Sequence, residues 1–358
     1  MNADLDIEQP ADLLGYLREQ GRIGPDESPR VLALGGGVSN RAVLVERPTG
    51  EAWVVKQALA KLRVPTDWFS SPARIEREAL GLRRLAHLAP PGTTVPLIFE
   101  DRARHILAMA AVPPPHDNWK TLLLAGQVDP DHVAQFGALL GTIHRNAAGQ
   151  SAIARDFDER SFYESLRLDP YYRYTATQIP AAAPFIAALL AETWATRLTL
   201  VHGDYSPKNI LVHRGRLILL DHEVVHYGDP AFDLGFGLTH LLSKGHHLPA
   251  RRAAFAVAAA LFWRSYSATL GAVPWRAGLE ARAVRHTLAC LLARVAGRSP
   301  LEYLDTTERT RQRDVIVSLL HAPPGTVAGA GGLVEEFLAR VGRIEHPPGP
   351  SFAEEGRC

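Results

Sequence analysis

Short aliphatic and β-branched runs broken by turn residues dominate the first hundred positions. RVLALGGG (30–37), RAVLVERPTGEAWVVKQA (41–58), TVPLIFE (94–100) and HILAMA (105–110) have the length and punctuation of strands in an antiparallel sheet. Two helices accompany them: residues 5–20, with apolar positions Leu5, Ile7, Leu13, Leu14 and Leu17 before the Gly24-Pro25 break, and residues 72–87. Beyond the proline-rich VPPPHDN (112–118) the period becomes helical, with Ala/Leu-rich segments at 131–147, 181–197, 250–270 and 278–297. One stretch interrupts it, LTLVHGDYSPKNILVHRGRLILLD (198–221), where short strands flank a polar loop.

The predicted class is α+β: a small β-rich lobe over residues 1–112, a linker near 110–118, a helical lobe over 113–345, and a disordered tail over 346–358. Composition fits a folded protein, with 46% hydrophobic and 22% charged residues. A net charge of +1 gives no electrostatic reason to expect nucleic acid or a membrane surface. The longest apolar stretch, from Ala253, is too short to span a bilayer, and the N-terminus lacks a basic-then-apolar leader. Cys290 and Cys358 form no disulfide framework or metal knuckle, so a reducing cytoplasm is expected.

HEVVH (222–226) matches the zinc-peptidase pattern H-E-x-x-H, which works because a helix puts both histidines on one face. Here the motif follows an aliphatic strand, contains two valines and runs into Tyr-Gly-Asp-Pro, which is turn chemistry. In an extended chain the two histidines would lie roughly 13 Å apart, too far for one metal.

A phosphotransfer reading requires separated elements in a fixed order, and each is present. Asp204 in His202-Gly203-Asp204 is followed five residues later by Asn209, the spacing with which protein kinases place a proton-accepting aspartate and a metal-binding asparagine. Asp221 ends the next strand, one hairpin on, and Glu223 offers a further carboxylate, so Asn209, Asp221 and Glu223 form the expected magnesium set. Lys56 in AWVVKQA suits a phosphate-binding lysine, and Glu78, 22 residues later on a predicted helix, can pair with it. Gly35, Gly36 and Gly37 with Ser39 and Asn40 join two strands, and their amides can cover ATP phosphates.

On HGDYSPKN (202–209), LLDHE (219–223) and GDPAFDLGF (228–236) the chain resembles the aminoglycoside phosphotransferase and choline kinase superfamily, from Leu34 to about Leu242. The resemblance implies a bilobal protein-kinase-like fold, ATP and Mg2+ as cofactors, Asp204 as base, and His202 and Asp233 as supports of the catalytic loop. It also implies an adenine hinge over Ile106 to Val112, including Met109. Within the superfamily the chain is similar to the methylthioribose kinase family in VVKQALAKLR (54–63), Trp68, the Arg74-to-Glu78 helix start and the Asp221/Glu223 pair. It departs from that family in the Ser-Pro-Lys-Asn loop ending and in Ala293-Arg294, where the family has an arginine pair. Arg294 and Arg298 are candidate substrate contacts by position, with a solvated helix end as the alternative. The partner expected is a small-molecule hydroxyl acceptor, methylthioribose-like compounds being favoured. Antibiotic phosphotransferase, choline- or homoserine-type kinase and non-catalytic ATP-binding protein stand as alternatives, and a homodimer is admitted. His240, His246 and His247 read as a solvated helix end rather than as ligands.

Overall fold

The computed structural model describes residues 5–35, 37–64 and 67–343. Gly36 and the tail read as disordered lie outside them. The N-terminal part is a five-stranded antiparallel sheet in the order β1-β2-β3-β5-β4, formed by β1 (Arg30–Ala33), β2 (Asn40–Glu46), β3 (Ala52–Ala58), β4 (Leu97–Asp101) and β5 (Ile106–Ala110). Helix α1 (Pro10–Glu19) begins on a proline at its first turn, where no amide hydrogen is needed, and lays Leu13, Tyr16 and Leu17 on one sheet face.

Strand alternation decides what faces the rest of the molecule. Trp53 and Val55 of β3, with Ile106 and Ala108 of β5, join the α1 core. Their neighbours Val54, Lys56, Leu107 and Met109 therefore belong to the opposite face. That face is covered by α2 (Arg74–Leu88) through Ile75, Ala79 and Leu82. Ile218, Leu211 and Leu220 from the second part of the chain complete this apolar cluster, so it also joins the two lobes.

The second lobe is helical around one large core. Helix Ala231–His247 runs through its centre with every residue but the last buried, packed against Arg252–Leu270, Leu279–Ala296 and Leu333–Gly342. Its buried polar residues, Asp233, Thr239, His240, Ser243, Lys244 and His246, therefore sit inside the lobe with its apolar ones. The histidine run is thereby corrected: His240 and His246 are only 5% and 2% exposed, because this helix is central rather than peripheral. The four long Ala/Leu-rich segments form as helices within a few residues of expectation, whereas helices Thr306–Leu320 and Leu333–Gly342 were not foreseen.

Short strands carry the loops between the lobes. β6 (Asp117–Asn118) pairs with β8 (Ile210–His213), which pairs with β9 (Arg216–Leu219). β7 (Thr199–Val201) pairs antiparallel with β10 (His226–Gly228). HEVVH is not helical: residues 222–225 form a turn and only His226 enters β10. No single helix among the described residues is long and apolar enough to cross a membrane.

Candidate active site

The loop after β7 owes its shape to Asp233 at the start of the central helix. One Asp233 oxygen accepts the His202 N–H at 2.6 Å and the other the Gly203 N–H at 2.8 Å, while His144 Nε2 lies 3.2 Å away. Gly203 has φ +76°, and a Cβ there would stand 2.8 Å from Val224 Cγ1, so only glycine fits. His202 Nδ1 accepts the Asp204 N–H at 3.2 Å, which puts the His202 proton on Nε2, facing His222 Nδ1 at 3.2 Å. Burial holds both imidazoles neutral by lowering their pKa values. His202 and Asp233 are thus brought together beneath the loop.

Asp204 itself is buried but densely paired. Its Oδ2 meets Arg167 Nη2 at 2.9 Å, Asn209 Nδ2 at 2.8 Å and Lys208 Nζ at 3.4 Å. Burial raises its pKa, yet Arg167 and Lys208 outweigh that and leave it below the usual carboxylate range. Asn209 also donates to the Asp204 carbonyl at 2.9 Å. Its amide hydrogens are spent on Asp204, and the side-chain oxygen is the atom left for a cation.

Asp221 follows β9 with φ +68°, a left-handed conformation that an aspartate adopts at some cost. This turn brings its carboxylate to Lys56. Lys56 Nζ sits 2.6 Å from Glu78 Oε1 and 2.9 Å from Asp221 Oδ1, joining β3, α2 and the segment after β9 in one contact. Burial opposes the lysine's charge, but Asp221 and Glu78 raise its pKa regardless. Burial and the neighbouring carboxylates push Glu78 up, to about 7, against the pull of Lys56. For Asp221, Lys56 and Lys208 overcome burial and hold the carboxyl low. Glu78, Asp221 and Glu223 each have an oxygen within 4.8 Å of the others'. These three offer only oxygen atoms, the chemistry that magnesium prefers.

Glu223 is held by residues that the sequence reading did not connect to it. Its Oε2 accepts from Asn40 Nδ2 at 3.0 Å and from Arg74 Nε at 3.1 Å. Fully buried Arg74 also donates to the carbonyls of Ser70, Ser71, Leu59 and Ser39. The loop between β1 and β2 is therefore tied to the metal segment. Asn40 Nδ2 donates to Ser39 Oγ as well as to Glu223, while Asn40 Oδ1 is buried without a partner. Gly35 and Gly37 lie in the loop without left-handed backbone. Met109 is buried in β5 between Val54 and Leu97, on the face lined by Val112 and Ile218.

Of the two arginines proposed for substrate, Arg294 is buried and donates to Tyr171 Oη at 3.0 Å and to Ser299, so it is no solvated helix end. Arg298 reaches Asp67 O at 2.8 Å over the Tyr174 ring. Arg167, Arg74 and His222 were missed as site residues. Arg167 lies in Glu164–Arg173, a wide π-helical stretch containing Pro170, which carries no simple periodicity to read.

A lysine–glutamate pair under a five-stranded sheet, facing an aspartate loop and a turn that carries two carboxylates, defines a phosphotransferase architecture. The chain belongs to the phosphotransferase enzyme family, whose model matches residues 30–271. It is 27% identical over 269 residues to a methylthioribose kinase of Pectobacterium carotovorum, with 66% of each chain covered. It is 29% identical over 276 residues to that of Yersinia enterocolitica, with 67% of this chain and 66% of the relative covered. The chain thus spans slightly under two thirds of the length of these relatives. Among solved structures its fold is similar to an amicoumacin kinase (TM-score 0.56, 14% identity, 87% of this chain and 95% of the other). It is likewise similar to a choline/ethanolamine kinase family protein from Mesorhizobium loti (TM-score 0.52, 15% identity, 92% and 99%).

Proposed function

We propose that this chain transfers the γ-phosphoryl group of ATP to a hydroxyl of a small, sugar-like metabolite in the cytoplasm, methylthioribose-like compounds being the first candidates. The observation that carries this reading is Lys56 Nζ held at once by Glu78 and Asp221, a cation fixed between the sheet and the metal turn. Asn209, Asp221 and Glu223 would hold magnesium, which would supply charge neutralisation on the β- and γ-phosphates.

The remaining work falls to the chain's own groups. The apolar face of Val54, Met109, Val112 and Ile218 suits an adenine ring, with backbone groups at the end of β5 supplying its hydrogen bonds. The loop between β1 and β2 lies over the phosphates, anchored through Arg74. Lys56 takes phosphate charge. Asp204, kept ionised by Arg167, aligns the acceptor hydroxyl and takes its proton as the bond to phosphorus forms. Because the transition state is loose, alignment and charge matter more than base strength.

Polycationic or quaternary ammonium acceptors are disfavoured, since the groups around and beyond Asp204 are Lys208, Arg167 and Arg294. The reading is tested by ATP consumption with magnesium against methylthioribose, simple pentoses, choline, homoserine and aminoglycosides, with Asp204→Ala as blank. Turnover on a sugar-like acceptor that vanishes in the variant is the expected result. Turnover confined to choline or aminoglycosides would overturn the acceptor class, and no ATP binding at all would overturn the kinase reading.

A further inference from the structure

We propose that the acceptor carries an anionic group, a carboxylate or a phosphate ester, and that Lys244 receives it with Arg294, Tyr303 and Lys120 around it; this rests on the phosphotransfer reading above and replaces neutral methylthioribose, its first candidate, with an anionic sugar-like compound. Lys244 lies on the central helix and is fully buried. Its one hydrogen bond runs to the His240 carbonyl of its own helix, at 3.3 Å. Among the described residues no carboxylate lies within ion-pair distance of it. Glu302 is the carboxylate that most supports its charge, and Glu302 is bonded to Lys120. Burying an ammonium without a counter-ion costs several kcal/mol, which a leucine or methionine in the same space would avoid. The retained lysine therefore calls for an anion.

The surroundings agree. Buried polar atoms without partners adjoin the same region: Ser243 Oγ, Tyr303 Oη and Arg294 Nε. The Tyr303 ring centre stands 5.3 Å from Lys244 Nζ. From Asp204 a continuous line of side chains leads there. Arg167, paired with Asp204, lies 5.6 Å from the Tyr171 ring and 5.8 Å from the Phe236 ring, and Arg294 lies 5.5 Å from the same Tyr171 ring. Phe236, His240 and Lys244 succeed one another at four-residue intervals on one face of the helix, a span of about 12 Å.

The groups facing Lys244 are Lys120 from helix Trp119–Leu124, Arg294 from helix Leu279–Ala296, Glu302 and Tyr303 from the following loop, and His240 from its own helix. The Glu308 carboxylate is taken by His247 and by the Asp305 N–H. Burial, then Lys120 and Arg294, lower the Lys244 pKa to about 7, against Glu302. An arriving anion reverses this balance, so binding at pH 8 draws a proton onto the lysine.

The test is calorimetric titration of the full chain, with magnesium and a non-hydrolysable ATP analogue, at pH 8 in buffers of different ionisation enthalpy. D-glycerate and D-ribose 5-phosphate are compared with glycerol and D-ribose, and with methylthioribose. The expected result is at least tenfold tighter binding of an anionic compound than of its neutral match, with close to one proton taken up. Lys244→Met removes both effects and leaves the affinity for the ATP analogue within twofold. The proton uptake is read on the unaltered chain, so it decides the matter even where the variant fails to fold. Normal nucleotide binding with no preference for either anionic compound, or turnover of neutral methylthioribose that is indifferent to Lys244→Met, overturns this inference and leaves the kinase reading intact. A chain that binds no nucleotide overturns both.

Discussion

Arg74 and Glu223, 149 residues apart, meet at 3.1 Å in the interior between the lobes. The guanidinium has five N–H donors, and its five bonds here go to Glu223 and four backbone carbonyls. Arg74→Met leaves Glu223 without its cation and the carbonyls of Ser39, Leu59, Ser70 and Ser71 without this donor. The expected loss is about 3–5 kcal/mol of unfolding free energy, read from urea denaturation. Arg74→Lys keeps the charge but not the fork. It is expected to raise KM for ATP several-fold with a smaller change in kcat, because the loop over the phosphates loses its anchor. An unchanged KM in a folded Arg74→Lys protein would detach that loop from Arg74.

Asp221 and Glu223 are two residues apart but differently placed. Asp221 bonds Lys56, whereas Glu223 already has Oε2 committed to Asn40 and Arg74. Asp221→Asn is expected to lower kcat by three orders of magnitude or more, and Glu223→Gln by only about tenfold, with weaker magnesium activation. Measuring ATP turnover against magnesium concentration separates them. Equal losses in the two variants would make Glu223 a full metal ligand.

The elements that were legible share a local signature. Lys56 announces itself by its place in an alternating strand, Asp204 and Asn209 by their spacing, and Asp221 by ending an aliphatic run before a turn. The Gly203 turn and the Asp233 support also lie within short contiguous motifs. What stayed hidden depends on distant contacts: Arg167 reaches Asp204 from a π-helical stretch, and Arg74 reaches Glu223 across both lobes. His240 and His246 were misread because polar residues near a predicted helix end suggest solvent, while the helix lies at the centre of the lobe. Burial of a helix is set by what packs around it, and that information is spread over the whole chain.

The buried histidines make stability depend on acidity. Burial lowers the pKa values of His226 and His286 to about 3 each. In the unfolded chain these groups take up protons near pH 6.5, so below that pH the unfolded state binds more protons than the folded one and stability falls with pH. The slope from these two residues is about 1.4 kcal/mol per pH unit for each, continuing until the folded pKa is reached. Urea midpoints measured from pH 7.5 down to 4.5 should fall steadily, and less steeply in His286→Asn. A flat profile across this window would mean that these imidazoles ionise in the folded state near their ordinary pKa.

The pairing of Arg167 with Asp204 sets the final expectation. Burial alone would raise the Asp204 pKa; Arg167 first, then Lys208, brings it below the ordinary value. Arg167→Met removes the larger opposing charge, so the pKa rises and the ionised form, which aligns the acceptor hydroxyl, is lost at a higher pH. The acid limb of kcat/KM for the acceptor is expected to move to higher pH, while the ATP affinity changes little. Lys208→Met should shift it less, since half of that side chain is in solvent and its charge is screened. Arg167 also donates to the Gly203 carbonyl at 2.7 Å, so some activity is lost at every pH through the loop itself. The shift of the limb is what a purely structural role would not produce. An unmoved limb in a folded Arg167→Met protein, with activity lowered uniformly, would assign Arg167 to loop geometry alone.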